Sequence, residues 1–184
     1  MVAIALTMAA GCITSAPPRP KSWVVSAQRK TTGEMGVSKT ARLGAISVAA
    51  PYDKPALAVK RADGSVAFDS YNVFATTPSA LLRAPLTTLL EDGGKFGRIL
   101  HTASMARTGT TVEAVVNDLS LDCTEEGRRV AKVSISLAVL ENREVKEFLD
   151  GEGTADAESG DYSAAFSEAL AKAVASALAG GGGN

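Results

Sequence analysis

The chain has 184 residues, of which 46% are hydrophobic, 21% charged and only 5% aromatic. That is enough for one domain with a core of its own and too little for two large lobes. Nineteen Lys and Arg stand against twenty Asp and Glu, so the sequence carries no nucleic-acid footprint. A single His and two Cys leave too few groups for a structural zinc site or a His-based triad, and no metal or cofactor is expected.

Charge is distributed unevenly. Residues 1–92 hold ten Lys/Arg and six Asp/Glu, a balance of +4, whereas residues 93–184 hold nine and fourteen, a balance of −5. Arg19, Lys21, Arg29, Lys30, Lys39 and Arg42 concentrate the positive excess near the amino end. The plain reading is a solvated basic stretch. Beside a membrane anchor, each such charge would add about 1 kcal/mol of attraction to anionic head groups.

The first dozen residues carry the strongest signal. Residues 2–10 are apolar or small and run into Gly11-Cys12. Small side chains at Ala9, Ala10 and Gly11 before Cys12 suit a peptidase with tight pockets, and the segment resembles the lipobox of bacterial lipoproteins. Ala9 stands where Leu is usual. No Lys or Arg precedes the run, and it is short for a secretory leader, which reads as a start codon placed too late or a truncated gene fragment. Residues 13–20 are small, polar and Pro-rich, an extended tether rather than core. The expected division is a signal segment over 1–11, a lipidated Cys12 with its tether over 12–21, a domain over 22–179 and a flexible glycine tail over 180–184. No apolar run reaches the ~20 residues of a spanning helix, so the domain would reach a membrane only through the lipid on Cys12.

Along the domain, residues 23–25 predict a short strand and residues 44–50 a second, with a polar loop over 29–39 between them. Residues 57–61 and 66–68 face each other across Ala62-Asp63-Gly64-Ser65, a hairpin with an Asp-Gly turn. Thr77-Pro78 predicts a helix start, with the Thr77 hydroxyl as cap and the proline ring pre-set for the first helical φ. Leu81, Leu82, Leu86, Leu89 and Leu90 form its apolar face, Pro85 should bend or break it, and Asp92-Gly93-Gly94 ends it. From Thr111 the period becomes two. Ala131, Val133, Ile135, Leu137 and Val139 mark one buried face of a strand, and Val115, Leu119, Leu121 and Cys123 mark that of the strand before it. A third strand near 145–154 completes an antiparallel meander. A helix over 162–179 closes the domain, packing through Phe166, Leu170, Ala173, Val174, Ala177 and Leu178. The expected fold is a single α/β domain, a mixed sheet with an antiparallel meander covered by helices.

This arrangement resembles the ABC-type transport auxiliary lipoproteins, the family that includes the lipoprotein of the paraquat-inducible Pqi system. Cys12 and its tether, Ile46-Ser47-Val48, Pro51-Tyr52-Asp53, Ala58-Val59-Lys60-Arg61 and residues 71–78 carry the resemblance, the last most specifically. Phe74 stands where relatives tend to have Trp. The resemblance implies a small periplasmic domain similar to the amino-terminal domain of the Tol system's propeller protein. It also implies a non-catalytic partner of a lipid transporter built from an ATPase, a permease and an MCE-domain protein. Ile13 after the Cys lacks the acidic residue that resembles an inner-membrane retention signal, which favours the outer membrane, facing the periplasm. Self-association is left open. An activator or scaffold of cell-wall synthesis is the alternative reading.

Four residues are assigned to a partner surface: Tyr52, Arg61, Tyr71 and Phe74, three of the scarce aromatics with an Arg. His101 lacks a partner of its own kind and reads as a surface or edge residue. Cys123 reads as a small packed hydrophobe. Asp92-Gly93-Gly94-Lys95-Phe96-Gly97 follows a helix end and so is no phosphate cradle. Glu141, Glu144 and Glu147 read as a solvated turn rather than an acid–base pair. No convergent catalytic set is present, and the chain is expected not to be an enzyme.

Overall fold

A computed structural model describes residues 19–29 and 39–180. Cys12, the leader, most of the predicted 29–39 loop and residues 181–184 lie outside the described residues. The elements run β1 (Lys21–Trp23), β2 (Thr40–Val48), β3 (Ala56–Arg61), β4 (Val66–Phe74), α1 (Pro78–Leu81), α2 (Arg83–Asp92), β5 (Arg98–Leu100), β6 (Thr110–Cys123), β7 (Val130–Glu141), β8 (Glu144–Asp156) and α3 (Tyr162–Gly180).

All eight strands join one mixed sheet whose spine is β6. Along one edge of β6 runs β7, antiparallel over nearly its whole length. Along the other edge two parallel strands lie end to end, β2 against residues 110–116 and β3 against residues 120–123. The segment between them, residues 49–55, leaves the sheet and crosses onto its far face. Beyond β3 lie β4 and then β1, beyond β2 lies β5, and beyond β7 lies β8. The predicted meander is β6–β7–β8, and its β7 alternation holds residue by residue, with Ala131, Val133, Ile135 and Leu137 wholly buried.

The parity of β6 differs from the expectation. Val112, Ala114 and Val116 are buried while Val115 is 42% exposed. The register shifts between Val116 and Asp118, and this bulge moves the following side chains to the opposite parity, so that Leu119 and Leu121 again face the core. Val115 therefore belongs to the outer face.

The helices share one face of the sheet, and their apolar side chains and those of the strands form one buried cluster. The predicted helix over 78–92 is two helices. The break falls at Leu82, one turn before Pro85, which then sits in the first turn of α2, where a missing N–H costs no bond. Thr77 makes no side-chain cap bond; the cap comes from a distant part of the chain. Asp53 accepts from the Ser79 N–H at 3.0 Å and from the Ser79 hydroxyl at 3.1 Å, which ties the 49–55 segment to the first turn of α1. Gly94, at φ +75°, supplies the stop after α2. At the end of α2, the buried Glu91 carboxylate pairs with Arg29 and accepts the Ile99 N–H at 2.9 Å, anchoring β5. α3 packs on β7 and β8 through Phe166, Leu170, Ala173, Val174 and Ala177, all buried.

Among the described residues, the opposite face of the sheet carries no helix. Glu113, Val115, Asn117, Phe148, Asp150 and Glu152 are exposed there. The 49–55 segment covers part of it, with Tyr52 over Lys60 of β3 and Lys54 over Phe68 of β4.

Candidate functional site

The covered corner of the open face holds one of the residues singled out in the sequence, Tyr52. Register places Ala58 and Lys60 of β3 beside Ser120 and Asp122 of β6, all on the open face. Lys60 donates to Asp118 Oδ2 at 2.5 Å, and the Ser120 hydroxyl donates to Asp118 Oδ1 at 2.7 Å. The Tyr52 ring lies over this cluster, its centroid 5.7 Å from Lys60 Nζ. Burial alone would lower the Lys60 pKa. The hydrogen bond and charge of Asp118, with Tyr52 beyond, outweigh it and hold the ammonium above its ordinary value. Ser120 is wholly buried, so this cluster fastens a loop to a sheet and presents no nucleophile to solvent.

Outside this clamp lies an aromatic surface with positive charge. Lys54 sits 4.8 Å from the centroid of Phe68, which is 39% exposed, and Tyr71 is 52% exposed. Tyr71 is turned outward by a bulge in β4, where the register against β3 shifts between Ala56 and Leu57. Asp69 holds that bulge, accepting the N–H groups of Tyr71 and Asn72 at 2.8 and 3.1 Å and the Asn72 amide at 2.7 Å. Burial would raise its pKa, but these donors prevail and keep the carboxyl below its ordinary range. Asn72 in turn accepts from the Trp23 indole at 3.1 Å, and Trp23 packs edge-on against Tyr162 of α3 at 5.4 Å. The exposed bulge is thus tied through β1 to the helical layer.

The four residues assigned from sequence divide three ways. Tyr71 and Arg61 lie on the surface, Arg61 at the mouth of the β3–β4 turn. Tyr52 is half-buried over Lys60. Phe74 is 3% exposed and packs edge-on against Phe166 at 5.4 Å, so its ring serves the core and not a surface. Sequence reasoning missed Phe68, Lys54 and the Lys60–Asp118 pair. The one local signal was the Asp-Gly turn, which places Phe68 close to an exposed hairpin end.

His101 is exposed just past β5, its Nδ1 accepting the Ala103 N–H. Cys123 is half-buried. Glu141, Glu144 and Glu147 pair with Lys39, Lys146 and Lys95 around the β7–β8 turn. Among the described residues, no three His, Cys, Asp or Glu side chains converge as metal ligands. A groove of about 590 Å³ runs between α2, residues 26–28 and α3, floored by Leu89, Val174 and Leu178 and rimmed by Ser26, Ser167 and Asp161. Its lining includes two carboxylates, Asp92 and Asp161.

The fold has solved counterparts. The crystal structure of XCC0632 from Xanthomonas campestris, of the family DUF330, superposes with a TM-score of 0.63 at 17% identity, covering 85% of this chain and 89% of that one. A crystal structure of an uncharacterized protein gives 0.60 at 12% identity, covering 88% and 96%. A PelC dodecamer from Paraburkholderia phytofirmans gives 0.42 at 18% identity, covering 90% and 95%. No family model matches the chain, and no curated protein sequence matches it. The chain therefore shares the fold of the DUF330 protein XCC0632: one α/β domain with a mixed sheet and a closing helix packed on it. No helix among the described residues is long and apolar enough to cross a membrane.

Proposed function

We propose that this chain is a lipid-anchored envelope protein that acts without catalysis, as the auxiliary component of an ABC/MCE-type lipid transport system. Cys12 would be acylated and the Pro-rich residues 13–20 would span the gap between the outer membrane and a domain facing the periplasm. Several acyl chains hold a protein at a bilayer, where one alone binds only marginally. The observation that carries the reading is the surface at Phe68 and Tyr71. Both are large exposed aromatics in a chain poor in aromatics, and Tyr71 opens the stretch, residues 71–78, where the resemblance to the auxiliary lipoproteins is most specific. The transporter's MCE-domain protein is the partner that surface would dock, with the permease and ATPase reached through it.

Expression behind an intact leader, followed by fractionation and affinity capture, tests both halves. Acylation predicts a membrane-bound protein released by Cys12→Ser. Docking predicts co-purification of the MCE-domain protein, lost in Tyr71→Ala with the melting temperature unchanged. A soluble unmutated protein would end the anchor reading. Capture of cell-wall synthases in place of the MCE-domain protein would favour the scaffold alternative.

A further inference from the structure

The connections at one end of the sheet are bound into a single surface. Residues 101–109, between β5 and β6, fold around the Arg42 guanidinium, which donates to the carbonyls of His101, Thr102, Ser104 and Ala106 at 2.8 to 3.2 Å. The Thr108 hydroxyl donates to the Thr40 carbonyl at 2.5 Å, and the Asn142 N–H of the β7–β8 turn donates to the Gly109 carbonyl at 2.8 Å. Met105, in this held loop, is 95% exposed, more than any other large hydrophobic side chain among the described residues. Arg107 and Arg143, on the same two connections, are exposed, and their side chains form no hydrogen bond or ion pair among the described residues. Asn142 and Arg143 make the two-residue turn at φ +51° and +72°, a geometry that favours Gly at its second position. The chain keeps a cation there instead.

Charge is polarised along the sheet. Counting every carboxylate, paired or not, residues 39–42, 95–113 and 141–147 at this end hold seven Lys/Arg and four Asp/Glu. The adjoining end of α2 adds Arg29, Glu91 and Asp92 and leaves the balance positive. The far end, residues 60–63, 118–132 and 152–161, holds five Lys/Arg and nine Asp/Glu. An apolar side chain beside two unpaired cations suits an anionic bilayer better than a protein. One methionine buries too little area for a protein interface, whereas each cation near an anionic bilayer adds attraction. The anchor can reach. From Cys12 to Lys21 the chain spans up to about 30 Å, and from Lys21 to Arg29, which pairs with Glu91 at this end, no more than about 28 Å.

We propose that the 101–109 loop and the β7–β8 turn rest on the anionic phospholipid surface of the membrane at which the protein is held. Met105 would enter the headgroup region, and Arg107 and Arg143 would meet lipid phosphates. This rests on the anchoring half of the proposed function and adds an orientation to it. β3 lies against residues 120–123 of β6, so a domain resting on its basic end holds the β3–β4 corner, with Phe68, away from the bilayer and open to a partner. An acidic protein is the rival occupant of the basic end.

The full chain carrying Cys12→Ser, which bears no acyl group, is sedimented with vesicles of phosphatidylcholine alone and of phosphatidylcholine mixed with phosphatidylglycerol. The expected result is binding to the anionic vesicles only, weakened at least about tenfold in the Arg107→Gln/Arg143→Gly variant. Glycine suits the left-handed backbone at position 143, so the melting temperature should not fall and a binding loss would not reflect unfolding. Lipids brominated on their acyl chains should quench Met105→Trp fluorescence beyond that of the unmutated chain, whose one tryptophan is Trp23. Equal binding to neutral vesicles, no effect of the double variant, or no added quenching at position 105 would overturn the proposal. So would absence of vesicle binding, and loss of a captured acidic protein in the double variant would then assign this end to a protein. If the acylated protein is membrane-bound while the Cys12→Ser chain ignores vesicles, this inference fails and the anchor reading stands. If the protein carries no acyl group while the vesicle results hold, the anchor reading fails and the lipid contact stands.

Discussion

Gly153 of β8 lies directly beneath Ala169 of α3: a Cβ on Gly153 would stand 2.0 Å from the Ala169 carbonyl oxygen. Gly151, two residues earlier on the same face, is in the same position under Ala173, at 2.1 Å from its carbonyl oxygen. Both obstacles are helix backbone, so no side-chain rotation relieves them. The pair of glycines and the row of alanines on α3 are one device that brings the helix axis close to the sheet.

Gly153→Ala should therefore force α3 away from β8 and destabilise the domain by about 3 kcal/mol, at the upper end for overpacking. Urea denaturation measures this directly. Gly151→Ala should cost a similar amount, and the double variant less than the sum, because one displacement of the helix serves both sites. Additive losses would contradict a rigid shared contact.

The Lys60–Asp118 clamp is partly buried, and breaking one side of it should cost more than removing both. Asp118 is 11% exposed in the intact pair, and Lys60→Met removes its cation while leaving the Ser120 hydroxyl as donor, an expected loss of about 2 kcal/mol. The Lys60→Met/Asp118→Asn variant should recover part of that loss. Because the folded-state Lys60 pKa is raised, its contribution is fully present below the ordinary lysine value and is lost as pH rises through the folded value. Alkaline titration of wild type against Lys60→Met should show that difference.

Asp69 predicts the opposite pH dependence. Its folded-state pKa is depressed, so its contribution is complete above the ordinary carboxyl value of 3.8 and disappears as pH falls through the lower folded value. Asp69→Asn should be less stable at neutral pH by about 1 kcal/mol. The gap between variant and wild type should close on acidification, read by Trp23 fluorescence, since Asn72 links the bulge to the indole.

Phe74 and Tyr71 separate folding from docking. Phe74→Ala removes a ring packed on Phe166 and should cost about 4 kcal/mol of stability. Tyr71→Ala, on an exposed ring, should leave the melting temperature nearly unchanged and weaken partner capture alone. A stability loss from Tyr71→Ala equal to that from Phe74→Ala would mean that the outward ring is structural.

Much of the fold is legible in the residues. The strict alternation of 131–139 admits one buried face, and the Ala-rich stripe of α3 admits one packing side. In β6 the apolar set Val112, Val115, Val116, Leu119 and Leu121 satisfies either parity, and a bulge at Asn117, which depends on pairing with β7, decides between them. The candidate surface shows the same limit. Scarcity of aromatics draws attention to residues 71–74, but scarcity does not say which ring points inward. That is settled by the Asp69 bulge and by the Phe166 contact. Lys54 over Phe68 and Asp53 at Ser79 join segments far apart in sequence, and no local pattern announces them.

The central claim is that this domain works by docking a transporter component through the Phe68–Tyr71 surface. Photo-crosslinking in cells, with benzoylphenylalanine placed at position 71, tests it most directly. The account predicts one major adduct of the mass expected for this chain joined to the co-encoded MCE-domain protein, and none from the same group placed at Val24 on the helical side. No adduct from position 71 in a folded, correctly localised protein, or the same adduct from both positions, would contradict it.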